Sequence, residues 1–509
     1  MKRKIKKSIS LVMALLMLLG CCSSALAADT YDHLPQVYVT GFQSANIYYE
    51  NDPEKKPLFA PIDTKRILGN LANVDDYILT SVVTKEPDVL YTCVYNFLWD
   101  SFGMLAMGPD GSNSEGVVVE PTVLSYEGDG KYVFYYDSRK NPLDIVPELR
   151  AYIELVKADS GYDKIELVGS SYGADVVTTY LSVYADSLYD IDSVLLCVPS
   201  VGGISFFGEL LSGQFNVDPV ALQSFVLGLA DLENKSTLLG ILNSTGVLNL
   251  LFDALMEPVL REAIYKAVLD IGRDLIATVP AIWVTIQDQH FEPALETMFG
   301  ENYASPDHEY AAVIARAIEY HENIMLKADD IILDAKENNE NLHIAVVCKY
   351  GKAPIPLSSD ATHMEDGLAT LEISSFGATC APYGETLNKN YTQALYKEYN
   401  FVDVNNRIDA STCILPFTTW FIKGLEHSQK NEDYWTLLNE IVYRNLSVFD
   451  DEKHPQFIQV SEEDAERLVP LEKEAIYTNY LVKIIEFILT PVRYIMDLFS
   501  KLFSQTSAA

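Results

Sequence analysis

A chain of 509 residues can bury one large core or two smaller ones, and 49% hydrophobic against 21% charged residues excludes an intrinsically disordered chain. Its 72 acids against 37 bases give a formal net charge of −35. That field repels phosphate backbones, so nucleic acid is not expected as a partner.

The first 27 residues stand apart. Lys2, Arg3, Lys4, Lys6 and Lys7 make a basic start, residues 9–19 are apolar, and Ala25-Leu26-Ala27 offers a small-x-small cleavage site. This pattern predicts a secretory signal peptide cut after Ala27, because the apolar run is too short to span a membrane well. Lipoprotein processing at Cys21 is the alternative, opposed by the bulk of Leu19 two residues before it. Without the leader, 32 bases face 72 acids, a net charge of −40 that suits the solubilising surface of an exported protein.

From there the periodicity predicts strands over 36–40, 132–136, 164–168 and 191–198. Helices are predicted over 147–157 and 172–184. Strands alternating with helices at this spacing imply an α/β fold around a mainly parallel sheet, with 28–201 as the first part of its core. Residues 202–335 lose the strand alternation and carry long apolar stretches, which predicts a large helical cap inserted between core strands. The strand pattern returns over 342–349 and 418–423, so 336–455 is expected to complete the core. Residues 456–509 are expected to form a C-terminal helical extension. Within it, Lys483, Glu486, Arg493, Asp497 and Lys501 interrupt an apolar run over 480–503. Amphipathic helices packing on the body fit that pattern, and contact with a lipid interface is the alternative.

Five cysteines remain after the leader: Cys93, Cys197, Cys348, Cys380 and Cys413. Their spacing fits no zinc site and HExxH is absent, so no metal is expected. Cys197 and Cys348 read as core residues. Cys380 and Cys413 flank one insertion and are candidates for a disulfide in an exported chain.

The feature with chemical content is Gly169-Ser170-Ser171-Tyr172-Gly173, placed between a strand and a helix. Small residues at both ends allow the tight strand-to-helix turn that lifts a serine above a sheet. Ser171 is therefore the candidate nucleophile. The same turn aims the Tyr172 N–H and the helix N-terminus at a reacting carbonyl, where negative charge develops. The Phe42 N–H, in the loop opened by Gly41 after the first strand, is the candidate second oxyanion donor.

On these residues the chain resembles the α/β-hydrolase superfamily, and within it the lecithin:cholesterol acyltransferase and bacterial lipase group. Thr40-Gly41-Phe42 is similar to that group's Pro-Gly-Phe segment, departing at Thr40. Tyr136-Asp137-Ser138-Arg139 is similar to its Tyr-Asp-Trp-Arg segment, departing at Ser138, and 197–213 is similar to the stretch leading into its cap. The resemblance implies a Ser, acid, His order along the chain. Of eight histidines, His427 follows the last predicted core strand, where the hydrolase fold places its base. Two acids compete. Glu365-Asp366-Gly367-Leu368-Ala369 resembles the Asp-Gly-Leu-Val segment of bacterial lipases, departing at Ala369, whereas Asp409 lies nearer to His427 in sequence. Asp366 is preferred, because Asp-Gly permits a tight turn after a strand.

These assignments predict a secreted carboxylic ester hydrolase, lipase- or esterase-like, acting on a small-molecule or lipid ester without a cofactor. An acyltransferase or amidase/peptidase on the same fold, and an inactive hydrolase fold used for surface binding, are the alternatives. The cap residues Phe206, Phe207, Leu210, Leu211, Leu248, Leu250, Leu251 and Phe252 are expected either to admit a lipidic chain or to form an ordinary helical core.

Overall fold

A computed structural model describes residues 33–42, 44–55, 57, 70, 84–215, 257–352 and 363–474. The leader with Cys21, the segment 480–503, and Leu248, Leu250, Leu251 and Phe252 lie outside the described residues.

The architecture is a nine-stranded, mostly parallel sheet with helices on both faces. Its strands in chain order are β1 (Gln36–Val39), β2 (Tyr126–Gly128), β3 (Lys131–Phe134), β4 (Ile165–Ser170), β5 (Ile191–Cys197), β6 (His343–Tyr350), β7 (Thr419–Lys423), β8 (Phe457–Val460) and β9 (Leu468–Pro470). Across the sheet they run β9-β8-β7-β6-β5-β4-β1-β3-β2, with the seven from β8 to β3 parallel and the two edges antiparallel. The central strands are largely apolar because both faces are covered: Val194, Leu195, Leu196 and Cys197 are fully buried.

The main helices are α1 (Pro87–Phe102), α2 (Pro142–Ser160), α3 (Tyr172–Val183), α4 (Ser205–Leu211), α5 (Pro258–Asp274), α6 (Pro280–Val284), α7 (Asp288–Phe299), α8 (Ala311–Asn323), α9 (Ala328–Asn338), α10 (Leu371–Ser374) and α11 (Glu432–Arg444). α2 shows why such segments are helical. Asn141 caps it by accepting from the Leu143 N–H, Pro142 opens it, and Gly161 closes it in the left-handed region at φ 76°. Between these signals Ile145, Val146, Leu149, Tyr152, Ile153 and Val156 fall on one buried face. α3 lies on the face toward which Gly169 points. α11 lies on the opposite face, where its Tyr434 meets Lys349 of β6 and its Trp435 meets Tyr38 of β1.

Helices α4 to α8 gather around a second core that includes Leu211, Trp283, Phe291, Leu295, Met298 and Ile314. Two elements depart from the predicted boundaries. α1, from well before position 202, packs on α5 of this helical region through Leu90, Cys93 and Leu260. α9, which straddles position 335, packs on β6 and α3 of the sheet layer.

A third departure follows α11. The stretch from 456, expected to be helical, opens with two strands: β8 extends the sheet parallel to β7, and β9 turns back along it. α11 forms the crossover that makes this pairing feasible, and Phe457 stacks on Phe421 of β7 with ring centroids 5.2 Å apart. Among the described residues no helix is long and apolar enough to cross a membrane. All five cysteines among them are free thiols, including the Cys380 and Cys413 pair.

Candidate active site

The loops that follow β1, β4, β5, β6 and β7 meet at the carboxyl ends of the parallel strands, the usual seat of chemistry in open α/β sheets. At the centre β4 ends in Ser170 and α3 begins at Tyr172, leaving Ser171 alone to make the turn. Its backbone sits at φ 57° and ψ −129°, a conformation that a serine holds only when its surroundings impose it. The Ser171 N–H donates to the Cys197 carbonyl at 2.8 Å, which ties the turn to the end of β5.

Two glycines make the turn sterically feasible. A Cβ on Gly169 would come within 2.5 Å of the Gly173 carbonyl, and one on Gly173 within 2.2 Å of the Val39 carbonyl. The helix can therefore descend onto β1 and β4 only because both side chains are missing. Ser170, at the variable position of the motif, is a buried member of β4.

Three sequence-predicted residues come together here. The His427 Nε2 is 2.7 Å from the Ser171 Oγ, and its Nδ1 is 2.7 Å from Asp366 Oδ2. Asp366 is fully buried. Its other oxygen accepts the Leu368 and Ala369 N–H groups at 3.0 and 2.9 Å, so the Asp-Gly turn fixes the carboxylate. The His427 N–H also donates to the Asp366 carbonyl at 3.0 Å. A carboxylate on Nδ1 places the proton there and leaves Nε2 as an acceptor toward the serine hydroxyl.

Asp409 stands apart from this chain. It is fully buried, and it accepts from Tyr391 Oη (2.7 Å) and the Ala394 and Ser411 N–H groups (both 2.9 Å). Burial alone would raise its carboxyl, but these bonds, with the Ser411 side chain foremost, leave it lowered. It secures the long excursion between α10 and β7.

Phe42 and Tyr172 flank the serine, their rings edge to face at 6.1 Å. Tyr172 supplies the first amide of α3, which has no partner within the helix. The Phe42 loop is held from behind: Tyr136 Oη donates to the Thr40 carbonyl at 2.6 Å, and the Thr40 hydroxyl bonds the Phe134 carbonyl and Ser44. In the same segment Arg139 forms a buried two-pronged pair with Asp137 at 3.0 and 2.9 Å, and the Arg139 carbonyl accepts from the Ala281 N–H of the helical region. The Tyr-Asp-Ser-Arg stretch thus braces the site without entering it.

Two supporting residues went unread in the sequence. Lys349 is fully buried on β6 and donates to the carbonyls of Glu426, His427 and Gln429 at 3.3, 3.0 and 2.6 Å. Burial pushes its ammonium down to about 8, against the pull of Asp366 and Cys197. A lysine inside an apolar parallel strand was its signal. Asp175 on α3 holds the loop after β5, accepting from the Ser200 N–H at 3.0 Å and hydroxyl at 2.7 Å. Burial pushes its carboxyl up to about 7, although the Ser200 bonds act the other way.

Above the serine opens a cleft of about 630 Å³, reached by Ser171, Tyr172, Phe42 and His427. Its apolar wall is Phe42, Ile204, Phe207, Ala281, Ile282 and Leu368, contributed by the sheet loops and by the helical region. Of the apolar residues predicted for a lipidic chain, Phe207 lines it and Phe206 packs behind Phe207. Leu210 and Leu211 are buried away from it. Among the described residues, no group of three or more His, Cys, Asp or Glu is placed to hold a metal.

No family model matches the chain, and no curated protein does. Three solved structures are distantly similar. A chain of the Tle4–Tli4 complex shares 13% identity over 37% of this chain, with a TM-score of 0.19, and this chain spans about half (49%) of its length. A proline iminopeptidase from Mycobacterium smegmatis shares 13% over 62% of this chain and 73% of its own, with a TM-score of 0.18. A hypothetical protein from Pseudomonas aeruginosa PAO1 shares 12% over 60% of this chain and 92% of its own, with a TM-score of 0.15. Likeness at this level carries no weight for activity, and the α/β fold rests on sheet order and register.

Proposed function

We propose that the protein is an exported serine hydrolase of the α/β-hydrolase type that cleaves carboxylic esters through an acyl-enzyme on Ser171. The observation that carries this reading is the hydrogen-bonded line from Ser171 Oγ through His427 to the buried Asp366. A serine hydroxyl at neutral pH is a weak nucleophile and gains reactivity from a base in contact with it.

In the proposed reaction the Ser171 hydroxyl passes its proton to His427 Nε2 as Oγ attacks the acyl carbon. Asp366 stabilises the imidazolium and keeps the ring oriented. The Phe42 and Tyr172 N–H groups receive the oxyanion. The carbonyl re-forms as the C–O bond to the leaving alcohol breaks, and that alcohol takes the proton from His427. Water then repeats the sequence, releasing the acid and restoring the serine. The six apolar residues of the cleft wall favour an ester with an apolar portion, as a lipase- or esterase-like enzyme requires. The helices over the cleft act as its cap.

Acyl transfer and amide hydrolysis would proceed through the same acyl-enzyme. A panel of 4-nitrophenyl esters of increasing acyl length, matched amides and alcohol acceptors, run on the protein and on Ser171→Ala, distinguishes the three. Ester turnover that disappears in the variant supports the reading. Turnover undiminished in Ser171→Ala rejects it.

A further inference from the structure

Lys430 lies three residues beyond His427 on the loop after β7, and it lines the same cleft. The residue is exposed, yet its ammonium has a defined seat. Nζ donates to Tyr38 Oη at 2.6 Å, at the hydroxyl end of that ring, and lies over the Trp435 ring at 4.8 Å from its centroid.

Among the described residues no Asp or Glu forms an ion pair with Lys430, in a chain that has almost two acids for each base. The Trp435 ring attracts the ammonium without neutralising it, and the Tyr38 phenol oxygen is neutral. Lys349 by contrast gives all its bonds to loop carbonyls, whereas Lys430 lines the cleft, and burial moves the Lys430 ammonium down from the ordinary lysine value.

Among the described residues the cleft wall contains no Asp or Glu. An ammonium beside apolar walls acts through a lower effective dielectric than bulk water and attracts an oxyanion correspondingly more strongly. With one proton given to Tyr38, two N–H groups remain for an incoming group, and bonds between charged partners are the strong class.

We propose that Lys430 receives an anionic group of the substrate, so that the site takes esters bearing an unesterified carboxylate or phosphate beside an apolar portion. This inference rests on the ester-hydrolase reading of Ser171.

The test compares 4-nitrophenyl hexanoate with the 4-nitrophenyl half-ester of adipic acid and with a phosphate-ended ester of similar length. Each is run on the protein, on Lys430→Gln and on Lys430→Glu, with circular dichroism to establish that both variants fold. The readout is the ratio of kcat/KM for each anionic ester to that for the neutral one. The ratio should exceed one in the unaltered protein, fall about tenfold or more in Lys430→Gln, and fall further in Lys430→Glu. The arm with the larger ratio identifies the oxyanion. A ratio of one or less in the unaltered protein, or one that both folded variants leave unchanged, overturns the proposal. If no ester is hydrolysed, the hydrolase reading fails separately. Calorimetric binding of monomethyl adipate then decides on Lys430: binding weakened about tenfold by Lys430→Gln upholds it, and absent or unaffected binding overturns it.

Discussion

His427 and Asp366 are joined twice, by the imidazole Nδ1 on the carboxylate at 2.7 Å and by the His427 main-chain N–H on the Asp366 carbonyl at 3.0 Å. Although 61 positions separate them in the chain, the backbone contact fixes the distance between their loops. Asp366→Asn keeps that contact and the shape of the side chain but cannot stabilise an imidazolium. We predict that kcat for ester hydrolysis falls by roughly 10³–10⁴ in this variant with little loss of thermal stability. Asp409→Asn should retain most activity and melt at a lower temperature, because it disturbs bonds to Tyr391, Ala394 and Ser411. The reverse pattern would move the acid's role to Asp409.

Much of this line was legible in the residues themselves. Gly169 and Gly173 flank Ser171 at the turn, because a Cβ on either would collide with main chain where α3 packs against β4 and β1. The central strands were readable as short, mainly apolar runs, and the observed ends differ from the predicted ones by a residue or two. β8 and β9 were not readable. Phe457-Ile458-Gln459-Val460 is short, lies among acidic residues, and becomes a strand only by completing the edge of β7. Lys349 escaped notice because its partners are main-chain carbonyls of residues 426–429, which have no side-chain signature. Asp366 was preferred over Asp409 for its place after the 342–349 strand, its Asp-Gly turn and its likeness to the lipase Asp-Gly-Leu-Val segment, although sequence distance favoured the other.

Lys349 should influence activity through the loop that carries His427. Above about pH 8 its buried ammonium loses its proton and its grip on the three carbonyls weakens. Activity should therefore decline as pH rises through that value. Stability should move the other way. The folded pKa lies below the unfolded value of 10.5, so between these two values the unfolded chain binds more protons and this group makes folding more favourable as pH rises. Lys349→Met should lower kcat by about 10- to 100-fold. Lys349→Arg, charged throughout, should restore part of it and move the alkaline limb upward. A pH–rate profile unchanged in Lys349→Arg would contradict this.

Glu166 tests the linkage in a place remote from the chemistry. It is buried on β4, and burial, reinforced by Asp192, pushes its carboxyl up to about 8. A raised carboxyl favours the protonated fold, so its contribution is fully present below about pH 4.5 and is lost as pH rises through 8. Glu166→Gln keeps the shape without the charge. Chemical denaturation should find the variant more stable than the unaltered protein above pH 8, by on the order of 1–3 kcal/mol, and nearly equal to it at pH 5. Equal stability at both pH values would show that the carboxylate has access to water.

Gly173→Ala should be severe for a steric reason. The added methyl would sit 2.2 Å from the Val39 carbonyl and 2.6 Å from that of Thr40, both main-chain atoms that cannot swing aside. α3 must lift off β1, costing about 1–3 kcal/mol and displacing Ser171. Gly41→Ala, whose nearest contacts are 3.1 Å, should be milder on stability. Denaturation midpoints of the two variants give the comparison, and a Gly173→Ala protein as stable and active as the parent would refute the packing argument.

The most direct measurement is titration of the protein with a fluorophosphonate probe, followed by mass spectrometry of the labelled peptide. A serine activated by His427 and flanked by the Tyr172 amide should label to one equivalent, on Ser171, and Ser171→Ala should take up none. A folded protein that does not label, or that labels elsewhere while Ser171 stays unmodified, would contradict the assignment of Ser171 as the nucleophile.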